Sequence, residues 1–319
     1  MWVYRNDLAF VFAATTGYGT ATKAIKDRVA VDSIRDEVPV SWDNMKTVQR
    51  TVGMLSRVAR FRATADSMDV IVASAIPIRS LLENSELGGT LPIDVQLDVH
   101  DPQARIIGRQ KQQASVPGEN LPIGIDAWWV RRLGRGLNVV RVDAEQKDVE
   151  RAAVSKVEVS VVDSAGYGLS DILFSFATTP AGSATPSRWS DLQIKPSVGL
   201  FPSKQPIGLV WENYNLANDN GNARYRVTVH LERTFRNSLR GFGARVMANM
   251  RNVAQGSSRG TGALSMTFDE VRPHGAAVVD FLSISLTESA PGPYRITVTV
   301  LDLVSGATAK RSADFTLFQ

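Results

Sequence analysis

From Ser67 to the C-terminus, apolar and polar residues alternate in short runs, and that two-residue period admits β-strands while excluding a helical body. The first set of expected strands covers residues 68–75, 93–99, 104–110, 137–142, 154–162 and 169–176. Turn residues such as Asp101, Pro102, Gly166 and Gly168 separate them. A second set covers 207–214, 225–232, 263–268, 277–286, 294–301 and 309–317. Along 224–232, Tyr225, Val227, Val229 and Leu231 fall on one face, opposite Arg226, Thr228, His230 and Glu232, so one face packs and the other is wet. No helical pattern interleaves with the strands, which argues against a parallel α/β sheet.

The expected fold is therefore mainly β: two tandem immunoglobulin-like antiparallel sandwiches behind a short N-terminal β/helical segment. The leader spans 1–66, the first sandwich 67–177, a Pro/Ser/Thr-rich linker 178–206, and the second sandwich 207–319 with a basic insertion at 233–262. At 319 residues the chain is long enough for two separate cores. Within the leader, residues 2–14 predict a hairpin or edge strand followed by a turn at Gly17 to Gly19. Met45, Val48, Val52, Leu55, Val58 and Phe61 predict an amphipathic helix capped by Ser41 or Asp43. Lys46, Arg50, Arg57 and Arg60 would form its other face, either solvated or anion-binding. Tyr294 stands where a tyrosine corner would sit in the closing hairpin.

Several stretches resemble the C-terminal half of GWxTD-domain proteins, a bacterial envelope-associated family. They are Met1 to Arg5, Gly168 to Leu173, Gly208 to Leu216 and Arg224 to Val227, and the similarity runs through most of the chain from Phe61 onward. The namesake motif itself is absent, and Met1 falls where the family has an internal residue. The resemblance implies the tail of a longer precursor whose leader would carry an export signal, and hence a periplasmic or membrane-surface location.

Chemistry is sparse. With no cysteine, thiolate metal sites and disulfides are excluded. His100, His230 and His274 occupy turns or an outward strand face, and no metal-ligand spacing, Walker loop or nucleophile elbow occurs. Asp94, Asp98 and Asp101 lack the glycine-centred loop of a calcium site and fit a solvated strand face better. No catalytic residue, cofactor or metal is expected, and the chain does not look like an enzyme.

Two segments stand out as partner-binding. Trp128 and Trp129 adjoin Arg131, Arg132 and Arg135 in what reads as a Trp-rich loop, and Trp and Arg dominate binding hot spots. The plainer alternative puts one indole in the core and leaves the arginines wet. The insertion carries Arg236, Arg240, Arg245 and Arg251 with Phe242, Met247 and Met250 at near-helical spacing, suited to anionic lipid headgroups or acidic protein surfaces; the plainer alternative is a flexible surface loop, as the Gly/Ser-rich run from Gln255 to Gly262 would allow. A net charge of +4 leaves nucleic acid a poor candidate, because the basic residues are scattered over separate segments. No apolar stretch is long enough to cross a bilayer.

These features predict a non-enzymatic scaffolding protein, a membrane-extrinsic subunit docking on a larger bacterial complex, of which a photosynthetic reaction centre with its light-harvesting antenna is one instance. The alternatives are a secreted carbohydrate- or peptide-binding module, and accessory domains of an enzyme whose catalytic domain lies outside this chain.

Overall fold

The computed structural model describes residues 51–82, 89–119, 121–146, 151–162, 166–182, 185–234, 245–247, 263–286 and 289–319. The expected hairpin at 2–14, the turn at Gly17 to Gly19 and the first part of the expected helix lie outside them. The chain runs through β1 (Thr51–Gly53), β2 (Leu55–Thr64), β3 (Ser67–Ile76), the one-turn helix α1 (Ile78–Leu81), β4 (Thr90–His100) and β5 (Ile106–Pro117). It continues through β6 (Ile125–Gly134), β7 (Gly136–Glu145), β8 (Ala152–Val161), β9 (Gly168–Leu169), β10 (Leu173–Pro180), β11 (Leu192–Pro196) and β12 (Leu200–Pro202). The last strands are β13 (Ile207–Tyr214), β14 (Asn222–Arg233), β15 (Arg245–Met247), β16 (Ala263–Pro273), β17 (Ala277–Ser285), β18 (Gly292–Asp302) and β19 (Thr308–Phe318).

The architecture is mainly β, as the alternation predicts. Two five-stranded sheets, ordered β1-β8-β7-β4-β5 and β12-β19-β18-β14-β16, repeat one topology. In each, a three-residue opening strand pairs parallel with the last strand of its set, β1 on β8 and β12 on β19, and every other pair is antiparallel. The remaining sheets are β2-β3-β6 and β11-β10-β13-β17-β15, with β9 also on β13.

By internal contacts the chain forms two compact units. The first holds Ala75–Asp126, Gly136–Val161 and the described residues up to Ser56; the second holds Arg57–Ser74, Ala127–Arg135 and everything from Val162. The grouping interleaves along the chain, whereas the sequence pattern suggests contiguous units. In the first unit Val95, Leu97 and Val99 of β4 are buried in register with Ala144, Val142 and Val140 of β7.

The second unit is built around β13, all eight of whose residues are buried. On one side Leu209 and Trp211 join Val227, Val229, Ile296, Val298 and Phe315 in a core between two sheets. On the other, Val210 meets Ala59 and Phe61 of β2 and Ile71 of β3, so β13 is covered on both faces. Burying each such side chain contributes roughly 1.5–3 kcal/mol. Tyr294 confirms the corner: its ring stacks on Phe315 with centroids 5.5 Å apart, and its hydroxyl donates to the Ala290 carbonyl at 2.6 Å.

Two expectations are corrected. The helix over Met45 to Phe61 does not extend through the described part, because Thr51 to Thr64 forms β1 and β2. The segment 178–206 is not an open linker either: it contains the end of β10, a 3₁₀ turn at Trp189–Asp191, β11 and β12. Among the described residues no helix is long and apolar enough to cross a membrane.

Candidate interaction surface

The Trp/Arg segment is a strand rather than a loop. Alternation along β6 turns Ala127, Trp129 and Leu133 inward and Trp128 outward, leaving Trp129 2% and Trp128 43% exposed. Gly136, at φ +122°, carries the chain from β6 into β7 in a conformation that a side chain would resist.

The nearby arginines are engaged. Arg132 Nε donates to Asp69 Oδ1 of β3 at 2.9 Å and Nη2 to Oδ2 at 3.3 Å, a two-pronged contact that raises the guanidinium pKa. Arg135 lies 3.3 Å from Asp66 in the β2–β3 turn, and Arg131 is half-buried. Carboxylates of β3 and its leading turn thus offset much of the charge expected around the indole.

Within the insertion, Arg245, Val246 and Met247 form β15, antiparallel to β17 with Val246 opposite Ile284. This replaces the helical reading at those positions with a strand on the edge of the β13 sheet. Arg236, Arg240, Phe242, Met250 and Arg251 lie outside the described residues. At the insertion's start, Arg233 Nη2 donates to the Pro291 carbonyl at 2.7 Å, and the Thr234 amide donates to that of Pro293 at 3.1 Å.

A second polar set, on the two faces of β13, is not evident from residue spacing. On one face the wholly buried Glu212 Oε1 accepts Arg188 Nε at 2.9 Å and the Trp189 amide at 2.7 Å. Arg188 also donates through Nη2 to the Arg62 carbonyl. The Arg62 amide donates to the Tyr214 hydroxyl at 2.7 Å, and the Arg62 guanidinium lies 4.3 Å from the Tyr214 ring centre. Burial, then the Glu212 charge, pushes the Tyr214 hydroxyl far above the usual phenol value, so it stays protonated. Arg60 fixes β2 further by donating Nε to Asp171 Oδ2 at 2.6 Å and Nη2 to Oδ1 at 3.1 Å.

On the opposite face, Asp280 of β17 is equally buried. Its Oδ2 accepts Asn213 Nδ2 at 2.8 Å, its Oδ1 accepts the Tyr225 hydroxyl at 2.9 Å, and Arg272 Nη2 lies 3.9 Å away. Arg272 Nε in turn sits 3.2 Å from Glu270. Burial pushes the Asp280 carboxyl up to about 6, against the opposing pull of Asn213, Arg272 and Tyr225. Glu270 is raised too, again chiefly by burial. Arg188, Asn213 and Tyr225 tie these carboxylates to neighbouring strands, so the contacts help hold the sandwich together, while Glu212 Oε2 and Glu270 Oε1 are buried without a hydrogen-bond partner among the described residues. One signal was present in the sequence: Ile207 to Trp211 is nearly unbroken apolar residues, the mark of a strand covered on both faces.

The arginines assigned to a helix face have other roles. Arg57 lies 4.7 Å from the Phe174 ring centre and donates to the Asp314 carbonyl, and Arg60 is the Asp171 partner. Gly199, at φ +89°, leaves the space that Arg57 fills, since a Cβ there would fall 2.5 Å from Nη1. Asp94, Asp98 and Asp101 are paired rather than solvated: Asp98 with Arg109 at 2.7 Å, Asp101 with Arg105 at 2.7 Å, and Asp94 with Gln113 at 2.8 Å. No group of three potential metal ligands occurs among the described residues. His100 is buried with Nδ1 3.4 Å from the Ala104 carbonyl, His274 Nε2 lies 3.1 Å from that of Leu216, and His230 Nε2 lies 3.8 Å from Glu232.

No known protein family matches the chain, and no curated protein does. Among solved structures it is similar to the C-terminal domain of the Streptococcus agalactiae AgI/II polypeptide BspA, at 9% identity and TM-score 0.26 over 83% of this chain and 100% of that one. It is also similar to a beta-glucuronidase from glycoside hydrolase family 2, at 11% identity and TM-score 0.26 over 44% of this chain and 12% of that one. A third is red sea bream transglutaminase, at 12% identity and TM-score 0.20 over 83% and 31% of the two chains. The chain thus spans under a third of the two enzymes it resembles.

Proposed function

We propose that the chain is a non-enzymatic binding frame, an extrinsic subunit that seats on a larger protein complex at a bacterial membrane surface, on the periplasmic side. The supporting observation is the pair Trp128 and Trp129: one indole is sunk in the interior and the next stands out on an ordered strand. A rigidly held, half-exposed tryptophan loses little entropy on contact and brings a large apolar area, as hot-spot anchors do. Ion-paired arginines around it give a polar rim. The buried carboxylates of β13 and β17 support the same reading, being committed to the frame's own cations and hydroxyls.

The test is association of the purified chain with membranes from its source. Wild type should bind and Trp128→Ser should bind about tenfold more weakly at an unchanged unfolding midpoint. Equal binding by both, or turnover of a small molecule by the isolated chain, would overturn the proposal.

A second reading, a glycan-binding module, is favoured by the outward face of β16, β14, β18 and β19. Register sets Ser265, His230, Thr297 and Ser312 in one row and Thr267, Thr228 and Thr299 in the next, with Thr228 to Thr267 at 3.1 Å and Thr297 to Ser312 at 2.8 Å. Retardation in gels containing polysaccharide, abolished by Thr299→Val with Thr267→Val, would favour it over the membrane-complex reading.

A further inference from the structure

Among the described residues β5 ends its sheet, and its sequence differs from that of an ordinary edge. Eight of its twelve residues are exposed, and the inward-facing positions are only partly covered: Gln112 is open although its parity is that of the buried Val116. The face carrying Ile107, Arg109, Lys111, Gln113 and Ser115 is open throughout, and pairing with β4 together with the contacts Arg109–Asp98 and Gln113–Asp94 holds the strand in place. An outer strand of this length presents alternate amide and carbonyl groups away from the sheet, a template for one more strand.

Its charges select the occupant. Residues 106–117 contain Arg109 and Lys111 and no acidic residue, and Lys111 makes no ion pair among the described residues. A second copy adding antiparallel near the strand's centre would set Arg109 against Lys111, or Lys111 against itself, and like charges across strands are unfavourable. An acidic strand meets the opposite situation. Ile106 and Ile107, both exposed at the strand's start, add an apolar foothold.

We infer that the outer edge of β5 docks an extended acidic segment of a partner protein by strand addition, with a carboxylate facing Lys111, whereas Arg109 already has Asp98 as its partner. The inference rests on the reading of the chain as a binding frame and names a contact separate from Trp128.

The probe is a synthetic peptide about eight residues long alternating valine with glutamate, beside the same peptide with lysine for glutamate. Titrated into the whole chain, the glutamate peptide should bind about tenfold more tightly and slow amide exchange across Ile106 to Pro117. Lys111→Glu, at an exposed position, should narrow or reverse that preference without moving the unfolding midpoint. Equal binding of both peptides, protection at β16 instead of β5, or self-association of the chain through β5 would each overturn the inference. Because the isolated chain is used, those results leave the membrane test of Trp128 standing on its own.

Discussion

Arg188 Nε lies 2.9 Å from Glu212 Oε1, so a carboxylate with no exposure to solvent is neutralised by a guanidinium from the segment whose composition suggests a linker. Breaking such a pair leaves a buried charge unanswered, and that desolvation cost exceeds the value of the contact itself. Arg188→Met should therefore destabilise the chain by about 3–5 kcal/mol, while Arg188→Met combined with Glu212→Leu should cost less than the single change. Urea unfolding midpoints at constant slope measure both.

Asp280 sets a pH dependence of defined sign. Its folded pKa of about 6 lies above the ordinary carboxyl value of 3.8, so the folded chain holds this proton more tightly than the unfolded one. The resulting stabilisation is full below the unfolded value and is lost as pH rises through the folded one, a change on the order of 3 kcal/mol. Glu270, also raised, acts in the same direction. The stability of wild type minus that of Asp280→Asn should fall as pH increases from about 4 to about 7. A pH-independent difference would contradict the assignment.

Trp129 and Trp128 are adjacent in sequence yet should respond differently. Trp129→Ala opens a cavity at a 2% exposed site and should cost about 3–5 kcal/mol. Trp128→Ala, at 43% exposure, should cost no more than about 1 kcal/mol. Thermal melts of the two variants separate the anchor from the contact.

Tyr294→Phe removes only the hydroxyl that donates to the Ala290 carbonyl, keeping the stack on Phe315. The loss should be about 1 kcal/mol. Tyr294→Ala should cost about 3–5 kcal/mol, because the ring then leaves the cluster of Phe174, Phe201 and Phe315.

Two kinds of strand are legible in the sequence: 225–232, whose alternation separates a core face from a wet face, lies inside β14, and 207–214, whose start is nearly unbroken apolar residues, coincides with β13. β2 was not legible, because Val52, Leu55, Val58 and Phe61 fall every three residues while the arginines between them are answered by partners far along the chain. Arg60 meets Asp171, Arg62 meets Tyr214 and Arg57 meets Phe174, none of which residue spacing can supply. β11 and β12 were missed because strands of five and three residues are too short to show a period between prolines and serines. The Trp/Arg segment was recognised by composition, but its pairing with Asp66 and Asp69 depends on β3 lying beside β6.

Amide hydrogen exchange along β13 tests the central claim most directly, namely that β2 and β3 on one face and the larger core on the other enclose this strand as the fixed centre of the frame. Ile207 to Tyr214 should exchange only through global unfolding, with Ala59 and Phe61 of β2 protected to a similar degree. Rapid exchange in β2 while β13 stays protected only from the other side would show that the frame is open on that face, and would contradict the account.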